Sequence, residues 1–177
     1  MLHFILGGQS SGKTRHGLMV SENYAATNQS LTYIATAIIG LADKEMNDKA
    51  LAHQKERALR KKKWHTIEES FELAPTIEKT NGVLLIDSLT LWLFNITQHE
   101  KNVAMAIDGL LTAIKHNPDK KIIIISDEIN FAPISPDQTT RHFCKTLGSL
   151  HQAIAHIAHL VELMVAGLPL TIKHNPA

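Results

Sequence analysis

Five short apolar runs rich in β-branched residues recur along the chain: "LHFIL" near the start, "LTYIA" at 31–35, "GVLLID" at 82–87, "KIIIIS" at 121–126 and "VELMVA" at 161–166. Helical segments separate them, an alternation that predicts a parallel sheet covered by helices on both faces. A further, final segment, "GLPLTIK", follows the fifth run after too few residues for a crossover, so it should return as an antiparallel edge hairpin. Between 139 and 160, Phe143, Leu147, Leu150, Ile154 and Ile157 are spaced by fours and threes, which gathers them into one apolar stripe on a core-facing helix. "HNPDK" at 116–120 should end the helix before it. No repeat, low-complexity tract or Gly/Ser-rich linker divides the sequence, and residues 1–177 read as one domain.

Directly after the first run comes "GGQSSGKT", which satisfies G-x-x-x-x-G-K-[ST] between a predicted strand and a predicted helix. This is the context a phosphate-binding loop requires, and it narrows the α/β class to a P-loop NTPase-like fold. Glycines let successive backbone N–H groups curl round phosphate oxygens, and the helix N-terminus adds partial positive charge. Gly7, Gly8, Gln9, Ser10, Ser11 and Gly12 would form the cradle, Lys13 would neutralise charge, and Thr14 would offer a hydroxyl to Mg²⁺. Such a loop needs an acid at the end of a neighbouring strand to hold the metal. Asp87, closing "VLLID", is the first choice, with helix capping near Leu89 as its alternative role. Asp127 and Glu128, ending "IIIISDE", are second choices.

A net charge of +1 and one short basic run, "RALRKKKW", make nucleic acid a poor partner. Arg60 to Lys63 read as a solvated helix end. His151, His156 and His159 lack the companion carboxylates or cysteines of a metal cluster. The longest apolar stretch, "VLLIDSLTLWLFNI", is broken by Asp87, Ser88 and Thr90 and is not a membrane span. The single cysteine, Cys144, and the absence of a leader predict a soluble, cytoplasmic protein.

The segment "DKEMNDKALAHQKER" places Met46, Ala50, His53 and Arg57 at helical spacings of four, three and four, so they share one side. On these grounds alone His53 is either a half-buried packing histidine or a functional one.

Taken together, "GGQSSGKTRHG", "YIATA", "DKEM" followed by "HQKER", "KWHTIEE", "LLIDSLTLWLFN", "DEI", "RHF" and "AGLPLTIK" resemble, in the same order, the bifunctional adenosylcobinamide kinase / adenosylcobinamide-phosphate guanylyltransferase family of cobalamin biosynthesis. The resemblance implies a homotrimer with one nucleotide site serving two reactions. A hydroxyl of adenosylcobinamide takes the γ-phosphoryl of ATP or GTP, and GMP from GTP then passes through a histidine to the cobinamide phosphate. The matching histidine is His53, joined as a catalytic residue by Lys13. The same matching implies nucleotide contacts from Ala35, Thr36 and Ala37, from Gln54, Lys55, Glu56 and Arg57, and from Glu68 and Asp87, with Mg²⁺ on Thr14 and Asp87.

The chain departs from the family pattern in a cluster. "DEINFA" puts Asn130 and Ala132 where the family has glycines, and Ser149, His151 and His159 replace an Arg, an Asn and an Asp. These changes spare the phosphate loop, His53 and Asp87. The alternative function is a diverged P-loop kinase, NTPase or nucleotide-binding paralogue without corrinoid guanylylation.

Overall fold

A computed structural model of the protein describes residues 1–38, 48, 51, 54, 55, 57–99 and 101–175. In chain order its elements are β1 (Leu2–Gly7), α1 (Lys13–Tyr24), β2 (Leu31–Ala35), β3 (Trp64–Glu68), α2 (Leu73–Lys79), β4 (Val83–Asp87), α3 (Leu89–Gln98), α4 (Val103–Lys115), β5 (Lys121–Asp127), α5 (Gln138–Ile157), β6 (Leu160–Val165) and β7 (Leu168–His174). The strands form one sheet of seven in the order β3-β2-β4-β5-β1-β6-β7. All neighbouring pairs run parallel except β6–β7, which is antiparallel. The expected α/β fold and its edge hairpin are both present.

One strand was not expected from the apolar runs. β3, "WHTIE", pairs with β2 at the sheet edge and buries none of its residues fully. An edge strand covered on one side has no need of the continuous apolar run that marks a strand covered on both.

Successive side chains of the central strands point to opposite faces, and each face has its own cover. Leu2, Phe4 and Leu6 join Leu84, Ile86, Ile122 and Ile124 in a core capped by residues of α2, α3, α4 and α5. On the other face, Ile5, Leu85, Ile123 and Ile125 pack with Leu18 and Val20 of α1. The stripe read from the sequence lies on α5, where Leu147, Leu150 and Ile154 are buried, with Phe143 and Ile157 packed at the margin of the same core. Burying each such side chain stabilises by about 1.5–3 kcal/mol before entropy is counted.

The basic run is more than a solvated end. Although Lys61, Lys62 and Lys63 are exposed, Lys62 Nζ donates to the carbonyls of Glu22 (2.6 Å) and Ala25 (3.2 Å) at the C-terminal end of α1. Arg60 pairs with Glu22 at 2.9 Å, and Trp64 Nε1 donates to the same carboxylate at 3.1 Å. Cations there satisfy orphan carbonyls and oppose the helix dipole.

At the other edge, β6 and β7 are joined by Ala166 and Gly167, both with positive φ (51° and 80°), the backbone that tight hairpins favour. Gly167 N–H donates to Ser11 O at 3.1 Å, so this turn abuts the loop after β1. Among the described residues no helix is long and apolar enough to cross a membrane.

Candidate active site

In parallel sheets, ligands collect at the C-terminal ends of the strands. Here that edge carries Gly7 of β1 opposite Asp127 of β5, and Ala35 of β2 opposite both Asp87 of β4 and Glu68 of β3. Residues 8–12 bridge β1 to α1, leaving Gly8, Gln9 and Ser10 exposed. Gly12 has φ 92°, a left-handed conformation that glycine adopts without penalty, and α1 starts with no side chain capping its first N–H groups. A Cβ on Gly7 would lie 2.6 Å from Ser11 Oγ and 2.8 Å from Met164 O, so the chain can pass here only as glycine. Ser11 Oγ is buried with no hydrogen-bond partner. Within the loop Ser11 N–H turns back to Gly8 O at 3.3 Å, while the uncapped start of α1 offers the helix N-terminal arrangement that binds phosphate.

Each strand-end acid meets a different loop residue. Lys13 Nζ pairs with Asp127 Oδ1 at 2.8 Å and donates to Gly8 O at 2.6 Å. Thr14 Oγ1 donates to Asp87 Oδ2 at 2.8 Å, and Tyr33 OH donates to the same oxygen at 2.8 Å. Capping is not the job of Asp87, because Ser88 Oγ accepts Leu91 N–H and caps α3. Glu128 turns elsewhere, accepting Asn130 N–H at 2.7 Å. A hydroxyl and a carboxylate side by side are hard oxygen donors of the kind Mg²⁺ takes, with phosphate oxygens and water completing its shell. The residues therefore fit the ion.

Beside this corner, Gln54, Arg57, Thr66 and Glu68 line an open cleft of about 520 Å³ together with residues of the basic run. Gln54, Lys55 and Arg57 are helical, with Gln54 and Lys55 exposed. Arg57 is 6% exposed, its guanidinium 3.7 Å from the centre of the Tyr33 ring, with Nη1 buried and unpartnered. Arg57 Nη2 makes a long 3.5 Å contact to Thr66 Oγ1. Glu68 is exposed at the end of β3. Ala35 and Ala37 are half-buried. Thr36 is fully buried, its Oγ1 donating to Ser88 O and accepting Ser88 N–H, both at 2.8 Å, while its carbonyl takes Asn95 Nδ2 at 2.7 Å. Its polar groups tie β2 to the end of β4 and are not turned toward a ligand. His53 and Glu56 lie outside the described residues.

The profile of the family described as cobinamide kinase / cobinamide phosphate guanyltransferase matches residues 3–172. The chain belongs to this family. It is 36% identical over 184 residues to the bifunctional adenosylcobalamin biosynthesis protein CobP of Pseudomonas aeruginosa, covering 99% of both chains. It is 26% identical over 191 residues to the bifunctional adenosylcobalamin biosynthesis protein CobU of Escherichia coli, covering 98% of this chain and all of the other. Among solved structures, the flagellar accessory protein FlaH of Methanocaldococcus jannaschii superposes with a TM-score of 0.53 at 18% identity, covering 98% of this chain and 78% of that one. That likeness concerns the fold alone.

In this member of the cobinamide kinase / guanyltransferase family, two of the departures have structural jobs. His151 Nε2 bonds Ser126 Oγ at 2.8 Å, its ring meets Phe4 edge-on, and burial pushes its pKa below the usual histidine value. His159 Nδ1 accepts Leu2 N–H at 3.0 Å. Both brace the core strands away from the cleft.

Tyr33 is the residue that sequence reasoning missed. Burial and the adjacent Asp87 carboxylate push its phenol pKa well up, so it remains a hydrogen-bond donor. A tyrosine in a central strand is itself a signal, because its hydroxyl needs a buried partner.

Proposed function

We propose that the chain carries out both reactions of its family on one nucleotide site within a single domain, residues 1–177. In the first, a cobinamide hydroxyl oxygen attacks the γ-phosphorus of ATP or GTP, the γ–β bridging bond breaks, and the nucleoside diphosphate leaves. In the second, a ring nitrogen of His53 attacks the α-phosphorus of GTP, pyrophosphate leaves, and the phosphate oxygen of cobinamide phosphate then displaces the imidazole to yield GDP-cobinamide. Splitting the transfer through a phosphoramidate converts one difficult displacement into two easier ones.

The observation that carries this reading is a chain of contacts from the phosphate loop to Arg57. Thr14 bonds Asp87, Asp87 accepts Tyr33, and Arg57 stacks on the Tyr33 ring. Arg57 follows His53 by four residues, the spacing that predicts one side of a helix. In this scheme Lys13 exchanges Gly8 O and Asp127 for phosphate oxygens, and the free Arg57 Nη1 donates to the triphosphate. Gly7 to Gly12, Ala35, Ala37, Gln54, Lys55, Glu56 and Glu68 border the nucleotide. Mg²⁺ on Thr14 and Asp87, when bound, supplies charge neutralisation at the phosphates. The exposed row Leu168, Leu170 and Ile172 on β7 supports assembly as a homotrimer.

The test is intact-mass analysis after incubation with GTP and Mg²⁺, with the α-phosphate labelled. An acid-labile GMP adduct is expected at His53, and His53→Ala should lose GMP transfer while keeping γ-phosphoryl transfer. GMP transfer at an unchanged rate in that variant would rule the nucleophile out.

A further inference from the structure

Alternation along β1 sends His3 to the α1 face of the sheet, where Ile5 also lies. There it meets His16, one turn beyond Lys13 on α1, and Glu162 from β6. His3 Nε2 lies 2.8 Å and His16 Nε2 2.7 Å from the same oxygen, Glu162 Oε2. The three side chains are 1%, 10% and 11% exposed respectively. Their ligand atoms all fall within 4.8 Å of one another. Tyr24 OH sits 3.2 Å from the far ring nitrogen of His3, Nδ1.

Two accounts of this cluster compete. Hydrogen bonds alone can join it if both imidazoles carry a proton on Nε2 and Tyr24 donates to Nδ1. That arrangement leaves a nearly buried carboxylate whose only basic neighbours within ion-pairing distance, among the described residues, are two imidazoles. A buried carboxylate without a full counter-charge is costly. A cation uses the same atoms with the polarity reversed. The Nε2 lone pairs and Oε2 face the metal, the His3 proton moves to Nδ1, and it is donated to the Tyr24 oxygen. A histidine ligand whose second nitrogen is held by another side chain is the usual arrangement in metal sites.

We propose that His3, His16 and Glu162 bind one divalent transition-metal cation of the zinc class, separate from the phosphate loop, clamping α1 against β1 and β6. Two nitrogens and one oxygen suit zinc, with water as a fourth ligand. At metal–ligand distances of about 2.0–2.2 Å neighbouring ligand atoms would sit about 3.3 Å apart, so each imidazole has to draw back from Glu162 Oε2 by about half an ångström.

The test uses the full chain, stripped with EDTA and free of nucleotide, titrated with Co²⁺ and followed by visible absorption. One equivalent per chain should bind with a low-symmetry d–d band, Zn²⁺ should displace it, and Zn²⁺ should raise the melting temperature. Glu162→Gln and His3→Val should each weaken binding at least about 100-fold and abolish the thermal shift. Asp87→Asn should leave both unchanged, which separates this site from the loop. His16→Asn, on the helix, gives the same readout should either buried variant fail to fold. Absence of stoichiometric Co²⁺ binding by the unaltered chain, or full binding by the folded variants, overturns the proposal.

Discussion

At the centre of the sheet, β4, β5 and β1 are buried on both faces and end in Asp87, Asp127 and Gly7. At its two margins, β3 is half-exposed and β7 is exposed along most of its length. The Thr14–Asp87 and Lys13–Asp127 contacts are thus anchored on strands whose backbone cannot shift without disturbing two cores. The margins supply the open cleft and an uncovered apolar row, where shape can change at little cost to those central contacts.

The strongest way to break this contrast is Lys13→Ala. Removing the central cation should reduce both phosphoryl and GMP transfer by roughly 10²–10³-fold in coupled assays, and retention of either activity would move the phosphates away from the centre. Next comes the pair of acids. Asp87→Asn should cost roughly 10–100-fold in rate and raise the Mg²⁺ concentration needed for half-maximal activity. Asp127→Asn only frees Lys13 and should cost less; equal losses would erase the distinction between them. Tyr33→Phe removes one hydrogen bond to a carboxylate, about 1.5–3 kcal/mol, and should raise KM for the nucleotide several-fold with little change in fold, measured by steady-state kinetics and circular dichroism.

The smallest effect is one of stability against pH. Burial holds the His151 pKa below its ordinary 6.5, against the opposing pull of Glu128 and Asp127. As pH falls below that value the unfolded chain takes up this proton before the folded one does, so its contribution to stability declines toward acid and levels off above it. Urea midpoints at about pH 7.5 and about pH 5.5 should differ, and His151→Asn should shrink the difference.

The contrast also explains what could be read from the chain before its structure. Central strands announce themselves as apolar runs because both faces are covered, and the loop after β1 is a local pattern of spacing. β3 stayed hidden because an edge strand such as "WHTIE" mixes exposed and half-buried positions. Asp87 and Asp127 were both legible as strand-end acids, but which one meets Thr14 and which meets Lys13 depends on strand order, a non-local property. Tyr33 and Thr36 belong to one quoted stretch, "YIATA", yet one steadies the acid of β4 and the other pins the end of that strand. His3, His16 and Glu162 escaped notice for a similar reason, since Glu162 is 146 positions beyond His16 and no short pattern joins them.

The turn at Ala166 and Gly167 links the last hairpin to the first loop through the single donation from Gly167 N–H to Ser11 O. The tail therefore acts as a keystone for the head: a displacement of about 1 Å there would break that bond. Trimming the final strand should loosen the grip on a triphosphate that no residue of that strand needs to touch.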